Sequence, residues 1–118
     1  MKVAVYFNLH KKTFSVRAMQ GADKGRVIMH SDRVTLKDVQ FKVSEAGRQR
    51  VIREKRKNVH AFVVGELVSV DNQPIVGELI TYNPYVYNTF VTAFDKTPIK
   101  SAQTAHLICE DKKARIYA

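Results

Sequence analysis

RQRVIREKRKNVHAF, residues 48–62, joins two kinds of chain. Its first ten residues hold six cations, Arg48, Arg50, Arg53, Lys55, Arg56 and Lys57, against one carboxylate, Glu54, a net five positive charges. More than half of the formal charge of +9 therefore sits in one segment. Like charges at this density repel one another, and phosphate oxygens are the usual partners that relieve them. Asn58 and His60 follow, and then the apolar Phe62-Val63-Val64 begins. A polar helix that runs into a core strand predicts a mixed fold in which the basic segment lies at a rim.

Outward from this stretch, Ser44 is a natural N-cap and Glu45 an acidic first-turn residue, predicting a helix over 45–56 with Asn58 in the left-handed position past its end. Gly47 opposes that helix. With few apolar residues to anchor it, the helix must be held by Val51, Ile52 and the aliphatic stems of its arginines. The cations of its final turn also complement the helix dipole.

On the C-terminal side, Val59 to Val70 reads as a central strand. Asp71-Asn72-Gln73-Pro74 makes a turn, and Ile75 to Thr81 is expected to return antiparallel, with Val76, Leu79 and Ile80 in the core. Pro84 then interrupts a strand pattern amid Tyr82, Tyr85 and Tyr87. Two short extended pieces, 104–109 and 114–118, end the chain.

On the N-terminal side, residues 3–9 and 13–19 form an expected hairpin about His10-Lys11-Lys12. A loop over 20–25 leads to an extended 26–30, which Ser31-Asp32 breaks. Two further pieces follow, 34–36 and 39–43, the second alternating at the period of a half-buried strand. The expected fold class is α+β, β-rich: a curved antiparallel sheet or small barrel with one basic helix at about 45–56, in a single domain spanning 1–118.

Composition fits that reading. Apolar residues make up 45% of the 118 and charged residues 26%, the mixture of an ordinary globular protein. No apolar run nears the roughly 20 residues of a membrane span, and the N-terminal apolar region is too short for a signal peptide, so a cytoplasmic protein is expected. The lone Cys109 has no partner for an internal disulfide and no neighbour that would stabilise a thiolate. A pI of about 9.9 points to nucleic acid or nucleotides. No membrane partner is expected, because residues 44–57 offer only Ala46, Val51 and Ile52 as apolar anchors.

The four histidines, His10, His30, His60 and His106, show no zinc-ligand spacing, so neither a metal nor a cofactor is expected. His106 reads as a packed histidine. His10 and His30 fall at strand ends, where side chains converge on openings. Two imidazoles and a cation suffice for metal-free phosphodiester cleavage, which makes His60 with His10 or His30 the candidate catalytic set. Tyr82, Asn83 and Tyr85 offer a stacking face and an amide for a nucleobase. No Gly-rich phosphate loop, helix-turn-helix, zinc finger or RNA-recognition signature is present.

Gly47-Arg48-Gln49-Arg50-Val51, Arg56-Lys57-Asn58-Val59-His60-Ala61, Tyr82-Asn83-Pro84-Tyr85 with Phe90, and the closing Arg115-Ile116-Tyr117-Ala118 resemble a group of small proteins encoded by tailed phages and prophages. The resemblance covers most of the chain from about residue 26 onward. It implies a setting, an infected bacterial cell, in which small basic proteins act on host nucleic acids or on the nucleotide signals of bacterial immunity.

The expected function is binding of a nucleotide, cyclic nucleotide or single-stranded nucleic acid, with sequestration of a host immune signal as its purpose. Arg50, Arg53, Arg56 and Lys57 would hold phosphates, Asn58 and His60 would orient them, and Tyr82, Asn83 and Tyr85 would take a base. The alternatives are a metal-independent phosphodiesterase built on the histidines and a sequence-blind nucleic-acid-binding or structural module that forms a homo-oligomer. All but the last require the basic segment and the Tyr-Asn-Pro-Tyr corner to face each other across one cavity.

Overall fold

The computed structural model describes residues 1–56, 59–69, 78–108 and 113–117. Ten strands are found there: β1 (Lys2–Asn8), β2 (Thr13–Ala18), β3 (Val27–Ser31), β4 (Arg33–Val43), β5 (Ala61–Ser69), β6 (Glu78–Thr81), β7 (Phe90–Thr92), β8 (Pro98–Ile99), β9 (Ser101–Ile108) and β10 (Lys113–Tyr117). One helix, α1 (Glu45–Glu54), lies between β4 and β5. The strands form one sheet in the order β3-β2-β1-β5-β4-β9-β10-β6-β7-β8, with antiparallel pairings throughout.

The expected N-terminal hairpin pairs Val3 with Ala18 and Asn8 with Thr13. Alternation along these strands puts Val3, Val5, Phe14 and Val16 on the inner face, where Leu36, Val39, Phe41, Val63, Ile80 and Leu107 join them. The sheet coils about this core. The Phe90 ring on β7 comes within 5.1 Å of the Phe41 ring on β4, so the last strands fold back over the middle of the sheet. The order starts at β3 and ends at β8 without returning to its beginning, so the sheet is strongly curved and the barrel alternative is not realised.

Two expected strand pieces, 34–36 and 39–43, are a single strand. Asp38 takes a left-handed backbone, φ 51°, and the register with β5 slips between Lys37 and Gln40. This bulge inserts one residue and so keeps Leu36, Val39 and Phe41 all buried on one face. Gly65 lies against it, since a Cβ there would stand 2.8 Å from the Lys37 carbonyl oxygen.

β6, which ends at Thr81, does not lie beside β5. Both edges of β5 are occupied, by β1 and β4, and β6 pairs instead with β10 and β7. The turn expected at Asp71–Pro74, with Ile75 and Val76, lies outside the described residues, as does Cys109. The helix also ends earlier than expected. Lys55, with φ 54°, is its left-handed cap and donates its backbone N–H to the Val51 carbonyl, whereas Asn58 lies outside the described residues. No helix among the described residues is long and apolar enough to cross a membrane.

Candidate functional site

The helix is an excursion between neighbouring strands. Val43 pairs with Ala61, and just beyond that pair the Ser44 N–H donates to the His60 carbonyl at 2.7 Å. Ser44 also caps the helix, its hydroxyl accepting from the Gly47 N–H at 3.2 Å. Gly47 then presses on His60: a Cβ at this position would lie 2.7 Å from the His60 Cβ. The glycine that looked like a flaw in the helix is therefore the residue that lets α1 seat on the histidine, with Val51 buried beside it.

From the same helix face, Arg48 reaches the turn that follows β6. Its Nε donates to the carbonyls of Pro84 and Tyr87, each at 2.9 Å, and its Nη1 donates to Glu45 Oε1 at 2.8 Å. Gln49 Nε2 donates to the same carboxylate oxygen at 2.8 Å. The Gln49 amide and the Arg48 guanidinium hold the Glu45 carboxyl below its ordinary range. Asn83 builds the turn from within. Its Oδ1 accepts from the Tyr85 N–H at 3.0 Å, and its backbone carbonyl accepts from Val86 and Tyr87 at 3.1 and 2.9 Å.

Tyr82 connects the turn to the helix base. Its hydroxyl shares a 2.7 Å hydrogen bond with His60 Nε2, the phenol donating when the imidazole proton is on Nδ1 and accepting when Nε2 carries it. The Tyr82 ring packs 5.1 Å from the Phe90 ring, so the dyad leans on the core. Burial pushes the Tyr82 hydroxyl up to about 12, offset in part by Arg48 and reinforced by Glu45. At neutral pH it is an uncharged hydrogen-bonding group.

Together these elements enclose a hollow of about 580 Å³, walled by Val51, Lys55, His60, Tyr82, Asn83 and Tyr85, with Leu9, Thr81 and Pro84 completing it. Of the expected ligand-binding residues, Tyr82, Asn83 and Tyr85 meet here, and His60 joins them. Arg50, Arg53 and Arg56 are exposed and do not line the hollow, while Lys57 and Asn58 lie outside the described residues. The cation in the wall is Lys55, and the one that clamps the turn is Arg48. Sequence reasoning missed both. Helical spacing from Val51, the apolar residue that must face inward, would have found them, because positions 48 and 55 share its side.

The other histidines lie apart. His30 is exposed on β3, its Nδ1 3.1 Å from the Ser15 hydroxyl. Register places it in a row with Ser15, Tyr6 and Phe62, the last two in edge contact at 5.6 Å. That is three strand spacings, roughly 14 Å along the sheet, from β5. An acid–base pair of His60 with His30 is not assembled. His10 is exposed in the β1–β2 turn, its N–H held by Asn8 Oδ1 at 3.0 Å, and it follows Leu9 of the hollow's wall. His106 is buried beside the Thr35 hydroxyl at 3.1 Å, and its burial lowers its pKa. Among the described residues, no three His, Cys, Asp or Glu side chains gather as metal ligands would.

The fold and this hollow define a one-helix, coiled antiparallel-sheet protein with a cation and two tyrosines in a surface cavity. The family model described as Mycobacterium phage L5 gene 82 protein matches residues 1–115, and the chain belongs to that family. The Gene 82 protein of Mycobacterium phage L5 is 45% identical over 113 residues, covering 91% of this chain and 90% of that protein. No solved structure matches.

Proposed function

We propose that the chain binds a nucleotide or oligonucleotide ligand in the hollow between α1 and the 83–87 turn, and that it acts as a phage accessory protein sequestering such a signal, a cyclic nucleotide of host immunity among them. The observation that carries this is the meeting of Lys55, His60, Asn83, Tyr82 and Tyr85 in one hollow of about 580 Å³. That volume lies within the range of small-ligand sites, roughly 300–1,000 Å³. Lys55 supplies a point charge for a phosphate, and the exposed Tyr85 supplies a stacking face. Arg50, Arg53 and Arg56, on the same segment, extend the positive field that draws an anion in.

Isothermal calorimetry with cyclic dinucleotides and short oligonucleotides tests the proposal. Lys55→Ala and Tyr85→Ala should each weaken binding about tenfold, and the reading is abandoned if neither changes it. The phosphodiesterase alternative rests on His60 and predicts EDTA-resistant turnover lost in His60→Ala. Sequestration predicts that the ligand is released intact when the protein is denatured. The exposure of Arg50, Arg53 and Arg56 favours a further reading, sequence-blind nucleic-acid binding, whose mark is an affinity that falls steeply with salt.

A further inference from the structure

Behind Tyr82 lies a second cavity, of about 260 Å³, between the two arms of the coiled sheet. Its walls are apolar, with Val5, Phe7, Phe14 and Val63 from one arm facing Ile80 and Phe90 of the other. Hydroxyl-bearing residues enter its wall only at Tyr6, Thr81 and Tyr82. The cavity opens to solvent past the half-buried Tyr6, Phe7 and Ala61, and its volume is roughly nine times that of a water in the liquid. Water against its apolar walls finds few protein partners and is readily displaced by an apolar group.

Thr81 and Tyr82 wall both cavities, so the apolar chamber and the Lys55 hollow are neighbours across one tyrosine. A nucleobase suits these walls less well, since its polar edge would meet protein hydroxyls only at Tyr6, Thr81 and Tyr82. A hydrocarbon chain or plain aryl ring meets no such penalty. We infer that the protein binds amphipathic anions, with a phosphate-type head at Lys55 and an acyl, alkyl or aryl group of up to roughly nine heavy atoms in the inner chamber beyond Tyr82. The inference rests on the nucleotide reading only for the anion at Lys55, and it adds an apolar group that the reading does not contain.

The test is a chain-length series on the full protein, with inorganic phosphate and butyl, hexyl and octyl phosphate as probes in calorimetry. Burial of each methylene should tighten binding about fourfold, so each two-carbon step should gain more than tenfold. Lys55→Ala should weaken every alkyl phosphate about equally and leave the chain-length slope intact. Ala61→Leu, which fills the inner chamber, should flatten the slope. The wild-type series stands by itself if that variant fails to fold. Affinity that does not rise with chain length overturns the inference, and cyclic dinucleotide binding that still depends on Lys55 would then leave the nucleotide reading standing. A rising slope with no effect of Lys55→Ala also overturns it, because the head is then elsewhere. If neither alkyl phosphates nor nucleotides bind, both readings fall.

Discussion

Gly47→Ala sets two physical effects against each other, and the structure decides which is larger. In an exposed helix the change gains about 1 kcal/mol, because alanine loses less backbone freedom on folding and glycine is a poor helix former. Here the new Cβ would stand 2.7 Å from the Cβ of His60, where carbon atoms prefer about 3.5–4.0 Å. Neither atom can rotate away, since a Cβ is fixed by its backbone. The helix must therefore move by about 1 Å. It is tied on one side by the Ser44-to-His60 backbone bond and on the other by Arg48 to the carbonyls of Pro84 and Tyr87. Overpacking costs about 1–3 kcal/mol, and these ties put the cost near the top of that range. The net expectation is a loss of about 2 kcal/mol, or about 8 °C in Tm for a chain of this size. Differential scanning calorimetry reads it directly. A Tm that is unchanged or raised would show that the helix does not bear on His60 as described.

Arg48→Ala should cost about 2 kcal/mol, because two turn carbonyls lose a charged donor, and hydrogen exchange at Val86 and Tyr87 should quicken; Arg48→Lys should not restore protection, since an ammonium lacks the guanidinium fork. Tyr82→Phe removes the bond to His60 Nε2 and should lower the urea midpoint by an amount equivalent to about 1–2 kcal/mol. The same residue predicts an alkaline effect: an unfolded tyrosine releases its proton near 10, the folded one near 12, so the native state binds more protons between these values and stability falls as pH rises from 10 to 12. Denaturant titrations at several alkaline pH values should show that fall in the wild type and a smaller one in Tyr82→Phe. His106 predicts an acid effect of opposite slope, because its folded pKa lies below the unfolded 6.5 and stability is lost as pH falls beneath that value; NMR titration of its ring should give a midpoint under 6.5.

The strands were legible where local pattern and pairing agree. The β1–β2 hairpin is a contiguous pair with period-two alternation, and its ends lie within a residue or two of their expected places. β4 read as two pieces because the bulge at Asp38 slips the period by one residue, and a phase slip looks like a break when no partner strand is in view. β6 pairs away from its neighbour in sequence because adjacency along the chain says nothing about whether an edge is already taken. The site shows the same division. Tyr82, Asn83, Tyr85 and His60 could be named from residue type, since stacking faces, amides and imidazoles declare their chemistry. Which of six cations reaches the hollow could not be read from charge density. It depends on helical phase: Lys55 in the wall and Arg48 on the turn lie four and three residues from Val51, on its side, and Arg50 and Arg53 do not. The inner chamber had no sequence signal at all, because it exists only where the sheet coils Phe90 back over Phe41.

Because α1 leaves and rejoins the sheet at adjacent positions, the helical wall of the hollow is an insertion between two paired strands. Bridging Val43 to Ala61 with a tight two-residue loop would keep the ladder between β4 and β5 while deleting Lys55, Val51 and the guanidinium clamp in one step. The excursion thus supplies one wall of the hollow, while Leu9 and the 81–85 segment, which do not belong to it, supply the other.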